Sequence, residues 1–310
     1  MIVGDMLVCD HGGTVVCGTG PVKGMTQGDI CVRRAGGFTL ASDREPGTIM
    51  LEITEENAVA RLVLTDAATK NALTFEVLDE ITAACERLKD RADLRAVVLS
   101  GAGGTFCSGL NVSAFMAMAG QMKEIKTELR SPARADGRTR FQAPMLALAD
   151  LPMPVIAVIE GHCYGAGLQL ALGADFRIVA PDARLSIREA HWGMIPDMGI
   201  THAMGRLMRA DVAKRLCMTG EVLSGRDADR HGLVTELAED PGAAAEALIA
   251  LLLARSPEAV RASKRLVDEG WFGGSDALAL EGAVQADLIG SPNQMEAVMA
   301  GMQKRAPNFK

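Results

Sequence analysis

Residues 154–171, PVIAVIEGHCYGAGLQLA, indicate most clearly how this chain folds. Val155–Ile159 is an apolar run with the length of a buried strand, and it follows Pro152 and Pro154. A glycine-rich turn comes next, and a helix is predicted to begin near Gly167. Because glycine lets a backbone approach a ligand closely and leaves N–H groups pointing outward, the stretch predicts a strand whose end presents backbone donors.

A second stretch, AVVLSGAGGTFCSGLN at residues 96–111, repeats this order, with an apolar strand predicted at 96–100, then a glycine-rich turn and a helix. It lacks the G-x-G-x-x-G spacing of a dinucleotide-binding turn and the G-x-x-x-x-G-K-[ST] pattern of a P-loop. Two turns of this kind can aim two N–H donors at one point, as an oxyanion hole requires. The second donor would lie at a helix N-terminus, where the helix dipole also favours developing negative charge.

Strands and helices alternate on both sides of these stretches. Further strands are predicted at residues 58–64 and 176–180, and a helix at 74–90. Four apolar positions share one face of that helix: Leu78, Ile81, Cys85 and Leu88. Recurring strand, helix and glycine-rich turn are typical of βαβ units, so we expect an α/β fold with a largely parallel sheet and with its active groups at strand ends.

The chain divides into three parts by composition. Residues 1–49 contain ten glycines and no sustained periodicity, which indicates either a disordered extension or a start assigned too early, with Met50 the true initiator. Residues 50–240 form the predicted α/β core. Residues 241–310 are predicted to be a helical region, with helices at 243–254 and 257–269.

Composition excludes several classes of partner and site. The chain has 310 residues and a formal net charge of −7, so no overall basic field would hold nucleic acid or an anionic membrane. It contains no run of about eighteen uncharged apolar residues and no secretory signal, which favours a cytoplasmic location. Its seven cysteines are scattered without a C-x-x-C pair, so reduced thiols are expected, with neither disulfides nor a metal site.

The two glycine turns resemble those of the crotonase (enoyl-CoA hydratase/isomerase) superfamily over roughly residues 51–310. FCSGLN at residues 106–111 is similar to the family turn F-x-A-G-x-D, and GHCYGAGLQLA at 161–171 to G-x-x-x-G-G-G-x-E-L-A. Further matching segments follow in family order: Asn71–Leu73, Thr219–Gly220, Gly232–Val234 and the terminal KRAPNFK at 304–310. The resemblance implies a crotonase-like spiral of ββα and βαβ repeats with a helical C-terminal trimerisation region.

The resemblance also implies site residues. It assigns the two oxyanion donors to the backbone N–H groups of Leu110 and Ala166, and the principal catalytic carboxylate to Glu189, within LSIREAHWGMIPDMG at 185–199. A carboxylate in a dry pocket has a raised pKa and can exchange a proton with an acyl α-carbon. Six residues would line the binding path of coenzyme A (CoA): Lys70, Ala72, Leu73, Ser108, Gly109 and Gly165.

Two positions depart from the family's hydratases. Gln169 replaces a second glutamate, and an amide can orient water or substrate but cannot carry a proton at neutral pH. Asp197 stands where hydratases have glycine, at the spacing of the second carboxylate of dienoyl-CoA isomerases; those enzymes also have an aspartate where this chain has Gln169. The alternative for Asp197 is a loop-capping or surface residue.

Several other residues with reactive side chains are predicted to serve packing rather than catalysis. His162 and Cys163 are adjacent, and adjacent side chains usually point apart, so a Cys/His nucleophile pair is disfavoured. His191 and Trp192 would line the acyl pocket or serve the structure. Cys107-Ser108 lacks the G-x-S-x-G elbow of serine hydrolases.

A polar loop is expected at residues 131–140, after a helix over 114–130. Its arginines, Arg134, Arg138 and Arg140, are interpreted as solvated, with contact to CoA phosphates as the alternative.

The function expected from these residues is isomerisation or hydration of an acyl-CoA thioester through an enolate, with isomerisation of an enoyl or dienoyl thioester favoured. Hydration of a 2-enoyl-CoA is the first alternative, and a thioester-binding protein without turnover is the second. CoA enters as part of the substrate, no separate cofactor is expected, and a homotrimer or a hexamer is the expected assembly.

Overall fold

The computed structural model describes residues 50–111, 113–114, 116, 119–271 and 276–310, together with the backbone of five short strands near the N-terminus. These strands are β1 (Met6–Leu7), β2 (Val16–Cys17), β3 (Gly20–Pro21), β4 (Ile30–Arg34) and β5 (Gly37–Ala41). The prediction of a disordered or misassigned segment at 1–49 falls mostly outside the described residues and stays a prediction.

A six-stranded sheet forms the centre of the described fold. Its strands are β6 (Leu51–Glu56), β7 (Val59–Leu64), β8 (Ala96–Gly101), β9 (Val155–Ile159), β11 (Phe176–Val179) and β14 (Glu236–Leu237). Their order is β14-β11-β9-β8-β7-β6, and every neighbouring pair is parallel except β6 with β7. The strands expected at 58–64, 96–100, 155–159 and 176–180 are confirmed to within one residue at each end, and β6 was not predicted.

The hairpin between β6 and β7 explains why β6 escaped prediction. Its two-residue turn consists of Asn57 and Ala58, with φ values of 52° and 63°. Positive φ at both central residues is the geometry of a type I′ hairpin turn, which is usually signalled by Asn-Gly or Asp-Gly. Asn-Ala gives no such signal, because alanine is strained in the left-handed region.

A small second sheet connects the second glycine turn to the segment that contains Glu189. It comprises β10 (His162–Tyr164), β12 (Arg184–Ser186) and β13 (Leu223–Ser224). Strands β10 and β12 are parallel, and Gly165 N–H donates to the Ser186 carbonyl at 2.9 Å. The end of the glycine turn is therefore held three residues before Glu189.

Helices cover the sheet and form the C-terminal region. They are α1 (Phe75–Lys89), α2 (Met122–Arg130), α3 (Ala143–Ala149), α4 (Ala166–Ala171), α5 (Ile200–Leu207), α6 (Ala210–Thr219), α7 (Gly225–Arg230), α8 (Pro241–Leu253), α9 (Pro257–Gly270), α10 (Ala277–Leu288) and α11 (Pro292–Gln303). The predicted inner face of α1 is buried, and Thr74 caps its N-terminus. Helix α9 is tied to the sheet by Lys264, whose Nζ lies 2.8 Å from Asp175 Oδ2.

The segment from 114 to 140 is more broken than predicted. Residue 113 is helical, and residues 114 and 116 are helical as predicted, but a 3₁₀ turn at Ala119–Gln121 separates them from α2, and residues 115, 117 and 118 lie outside the described part. The loop arginines each pair with an acid: Arg134 with Glu86 at 2.9 Å, Arg138 with Asp150 at 2.6 Å and Arg140 with Asp79 at 2.7 Å. These ion pairs favour the solvated-loop interpretation over contact with CoA phosphates. Among the described helices, none has the length and apolar character needed to cross a bilayer.

Candidate active site

The two glycine turns lie side by side and are joined by backbone hydrogen bonds. Cys107 N–H donates to the His162 carbonyl at 2.7 Å, and Tyr164 N–H donates to the Cys107 carbonyl at 3.0 Å. A side chain at Gly167 would place its Cβ 2.6 Å from the Cβ of Cys107, so glycine is required for this approach. The start of α4 is thereby packed directly against the first turn.

The backbone N–H groups of Leu110 and Ala166, one in each turn, have no hydrogen-bond partner among the described residues. The N–H groups beside Leu110 are occupied, because Gly109 donates to Cys107 Sγ and Asn111 donates to the Leu73 carbonyl. A Cβ on Gly109 would lie 3.0 Å from the Tyr164 carbonyl oxygen and 4.0 Å from Ala166 N. The two predicted oxyanion donors are therefore neighbouring donors with no protein acceptor.

The segment predicted to bind CoA is fastened to the first glycine turn. Lys70 and Asn71 both have left-handed φ values, and Asn71 Nδ2 donates to the carbonyls of Ala102 and Thr105 at 3.0 and 2.8 Å. Ser108 N–H donates to the Lys70 carbonyl at 2.9 Å. The backbone of this segment therefore borders the turn that contains Gly109.

Not every predicted CoA-binding side chain can reach a ligand. Leu73 and Ala72 are buried, so Leu73 can contribute only main-chain atoms to such a path. Ser108 Oγ donates to the Thr69 carbonyl at 2.9 Å and thereby fixes the loop. Lys70 is exposed, and its ammonium is the charged group of this set.

Glu189 begins a 3₁₀ turn and lies buried against the second glycine turn, with 7% of its surface exposed. A Cβ on Gly165 would approach its Oε1 to 3.3 Å. Oε1 accepts a hydrogen bond of 2.7 Å from Gln169 Nε2. Oε2 is buried and has no hydrogen-bond partner among the described residues. Buried carboxylate oxygens without a partner are rare in proteins, so Oε2 is an unusual feature of this site.

The environment raises the pKa of Glu189. Burial is the largest cause, because removing a carboxylate from water disfavours its charged form, and the negative charge of Asp197 adds to it. The backbone N–H of Glu189, the hydrogen bond from Gln169 and the backbone N–H of Arg188 act in the opposite direction. Burial likewise raises the pKa of Asp197, which is half-buried eight residues along the chain. The structure therefore contains two carboxyl groups with raised pKa values, and the charge of Asp197 acts on Glu189.

The remaining sequence candidates do not form a nucleophilic centre. Cys107 and Cys163 are buried, and burial raises the pKa of the Cys107 thiol to about 12, so it stays protonated. Burial lowers the pKa of His162, with smaller effects from Lys70 and Arg184. The packing interpretation of the adjacent histidine and cysteine is confirmed. His191 and Trp192 are exposed and pack edge to face against each other, with ring centroids 5.4 Å apart.

Two neighbours of the catalytic candidates were not predicted from the sequence. Met198 N–H donates to Gln169 Oε1 at 2.9 Å, a main-chain contact that no residue type signals. Cys217, on α6, lies near Glu189, since after burial the charge of Glu189 is the next cause that raises the pKa of its thiol. The sequence feature that could have identified Cys217 is its position two residues before the Thr219–Gly220 motif.

A cleft of about 470 Å³ is lined by Gly104, Glu160, Gly161, Ala180, Pro181, Asp182, Arg226 and Glu239. It contains neither Glu189 nor the two free donors, so the carboxylate and the donors define the candidate site. Over the described residues, no group of three or more histidine, cysteine or acidic side chains is arranged to hold a metal ion.

Two neighbouring N–H donors beside a buried proton acceptor are what a site needs to stabilise an enolate formed next to a carbonyl group. Residues 54–310 match the family model described as enoyl-CoA hydratase/isomerase. The chain therefore belongs to the enoyl-CoA hydratase/isomerase family.

Individual relatives agree with this assignment. The chain is 30% identical over 259 residues to enoyl-CoA hydratase domain-containing protein 2, mitochondrial, of Bos taurus, covering 81% of this chain and 84% of that one. It is 29% identical over 264 residues to the mitochondrial methylglutaconyl-CoA hydratase of Mus musculus, covering 83% and 81%. The crystal structure of enoyl-CoA hydratase from Bacillus anthracis superposes with a TM-score of 0.76 at 26% identity, covering 84% and 99%. The predicted crotonase-like α/β fold is confirmed by this similarity.

Proposed function

We propose that the protein isomerises enoyl- or dienoyl-CoA thioesters, with Glu189 carrying the proton and the N–H groups of Leu110 and Ala166 binding the thioester oxygen. The observation that carries the proposal is the carboxylate of Glu189, in which Oε1 is held by Gln169 and Oε2 is buried without a partner. Among the described residues, the second carboxyl group near it is that of Asp197, while Gln169 cannot carry a proton.

The proposed reaction moves one proton between carbons. Glu189 Oε2 removes a proton from the α-carbon of a 3-enoyl thioester, and the electrons of the C–H bond pass into the conjugated enolate. The negative charge on the thioester oxygen is stabilised by the two N–H donors. Return of a proton at the γ-carbon gives the conjugated 2-enoyl thioester and regenerates the starting enzyme. No water, oxidant or separate cofactor is consumed, and CoA acts as the part of the substrate that the Lys70 segment and the glycine turns bind.

Asp197 extends this scheme to dienoyl substrates, in which the two carbons that exchange protons lie farther apart. A protonated Asp197, whose pKa is raised, can deliver its proton at the distal carbon while ionised Glu189 takes one from the α-carbon. After product release Glu189 gives its proton to solvent and Asp197 takes one up, which restores the starting enzyme. The proximity of its charge to Glu189 supports this role over that of a loop-capping residue.

Replacing Asp197 with asparagine is therefore expected to slow dienoyl-CoA isomerisation by about a hundredfold. The rate of 3-enoyl-CoA isomerisation should fall by much less, because Glu189 alone can move a proton from the α-carbon to the nearby γ-carbon. Steady-state rates on the two substrates measure the difference. Equal rates of wild type and variant on the dienoyl substrate would assign Asp197 to the loop structure instead.

Hydration of a 2-enoyl-CoA is the second candidate, favoured by the hydratase names of the relatives. The geometry at Gln169 argues against it, because a direct 2.7 Å contact between Gln169 and Glu189 leaves no space for a water molecule between them. If the protein were a weakened hydratase, Gln169→Glu would raise hydration of a short 2-enoyl-CoA and Asp197→Asn would matter little. A thioester-binding protein without turnover would have no use for a buried carboxylate beside free donors, whose burial costs stability.

We also propose a homotrimer or a dimer of trimers in the cytoplasm. Large apolar side chains are exposed in the C-terminal region, and an oligomer would cover them. Among them are Val267, Trp271, Leu278, Met295, Val298 and Met302.

Light scattering during size-exclusion chromatography is accordingly expected to give three or six times the mass of one chain. Replacing Leu278 and Met302 with lysine should shift the protein toward smaller species, because charged side chains oppose burial. A monomeric wild type would contradict the proposed assembly.

A further inference from the structure

Gln169 is almost completely buried, and both ends of its amide are used. Its Oε1 accepts from Met198 N–H at 2.9 Å, and its Nε2 donates to Glu189 Oε1 at 2.7 Å. A backbone N–H can only donate, so the amide oxygen must face Met198 and the NH₂ group must face Glu189. The hydrogen bond from the Met198 main chain thus fixes the orientation of the Gln169 amide.

We infer that Gln169 is a positioning residue: it holds Glu189 Oε1 and the Met198 backbone at the same time, and leaves Oε2 as the single oxygen of Glu189 that exchanges a proton with the substrate. This inference rests on the proposed function, in which Glu189 carries the proton. It extends that function, because it gives Gln169 the role of directing the carboxylate rather than of binding water or substrate.

The same contact sets the spacing of the two carboxyl groups. Met198 directly follows Asp197, so the hydrogen bond from its N–H anchors the loop that carries the second carboxylate. The Glu189 side chain and the backbone directly after Asp197 are therefore attached to the two ends of one buried amide. Loss of Gln169 would release both groups together.

No other side chain around Glu189 substitutes for this donor, although the backbone N–H groups of Glu189 and Arg188 also lower its pKa. The charge of Asp197 on the following loop raises the pKa of Glu189, and Cys217 on α6 is a thiol whose own pKa is raised. The guanidinium of Arg188 lies over the Tyr164 ring at 5.8 Å and donates to the Gly220 carbonyl, and His191 is exposed. In the described structure, Gln169 is the one side chain that donates a hydrogen bond to the Glu189 carboxylate. Since the donor favours the ionised form, its removal must raise the pKa of Glu189.

A glutamate at position 169 would have the opposite effect to the amide. One of its oxygens would accept from Met198 N–H, and the other would face Glu189 Oε1 at hydrogen-bond distance. Two carboxylate oxygens at that distance are stable only when they share a proton. Gln169→Glu is therefore expected to create a pair of carboxyl groups that share a proton. Glu189 would then be unable to act as a base up to a higher pH than in wild type.

The test is a pH titration of the Glu189 carboxyl group, monitored by its infrared carboxyl stretch. In each background, the spectrum of the same protein with Glu189→Gln is subtracted to isolate the Glu189 band. It needs no substrate, so it is independent of turnover. Gln169→Leu and Gln169→Glu are compared with wild type and with Thr82→Val, which removes a buried hydrogen bond in α1 outside the site. The midpoint is expected to rise in Gln169→Leu, to rise further in Gln169→Glu and to stay unchanged in Thr82→Val.

Activity gives the second readout. The acidic limb of kcat/KM against pH should move upward with the infrared midpoint, and a displacement of one pH unit corresponds to about a tenfold loss of rate below the limb. Unchanged midpoints in both Gln169 variants would overturn the positioning role. If Gln169→Leu does not fold, the nearly isosteric Gln169→Glu decides alone. Shifted midpoints in a protein that turns over no thioester would support the positioning of Glu189 and overturn the proposed function.

Discussion

Replacing Glu189 with glutamine is expected to lower kcat for thioester isomerisation by about a hundredfold or more, because it removes the group that takes and returns the proton. The substitution preserves shape and hydrogen bonding. The new amide oxygen can accept from Gln169 Nε2 where Oε1 does now, and its NH₂ group takes the place of Oε2. Binding of a CoA thioester should therefore remain close to that of wild type.

The measurement is the rate of double-bond migration in both proteins, combined with isothermal titration of a saturated acyl-CoA. Glu160→Gln, the same charge change at an exposed residue that begins the second glycine turn, is the matched control and is expected to keep wild-type turnover. A Glu189→Gln protein with an unchanged rate would remove Glu189 from the mechanism. Weakened binding with unchanged kcat would assign it to the binding path.

Ala166→Pro is expected to cost roughly a hundredfold or more in kcat, because proline removes the N–H that would bind the enolate oxygen. The backbone tolerates this change. Ala166 is the first residue of α4, a position where proline is common, and Gly165 has φ 49° and ψ −119°. These angles mirror the extended conformation that residues before proline prefer, and glycine can adopt them because it has no Cβ.

The control for this substitution is Ala166→Gly, which keeps the N–H and should retain most activity. Circular dichroism and thermal unfolding establish that the proline variant folds, and acyl-CoA titration establishes that it binds. A folded, binding-competent proline variant with normal turnover would mean that the oxyanion donor lies elsewhere.

Much of the fold could be read from the sequence, because the central strands are short apolar runs bounded by glycine or proline. Val155–Ile159 is such a run, and its predicted limits coincide with the observed strand. β6 was missed because Asn57 and Ala58 give no recognised turn signal. The small sheet through His162 and Tyr164 was missed because its strands have only two or three residues, too few to show a period.

The site was predictable as a set of residues but not as a geometry. The glycine pattern located the turns that contain Leu110 and Ala166, since close backbone approach demands glycine. The contact of Gln169 with Glu189 depends on a fold that brings residues 20 positions apart together. The second contact of Gln169 is with the main-chain N–H of Met198. Any residue except proline provides such an N–H, so the residue type at 198 does not indicate the contact. For that reason the sequence indicated that Gln169 orients water or substrate, while the structure places it against the carboxylate of Glu189.

The most direct test of proton transfer by Glu189 at an enolate site is to incubate wild-type protein with 2-enoyl-, 3-enoyl- and dienoyl-CoA thioesters and to record product mass and absorbance. Isomerisation leaves the mass unchanged and alters the absorbance as the double bond enters conjugation with the thioester. Hydration adds the mass of one water and abolishes that absorbance. The proposed mechanism predicts conversion of 3-enoyl- or dienoyl-CoA at constant mass, lost in Glu189→Gln. A product heavier by one water from 2-enoyl-CoA, with no isomerisation of the other substrates, would contradict it.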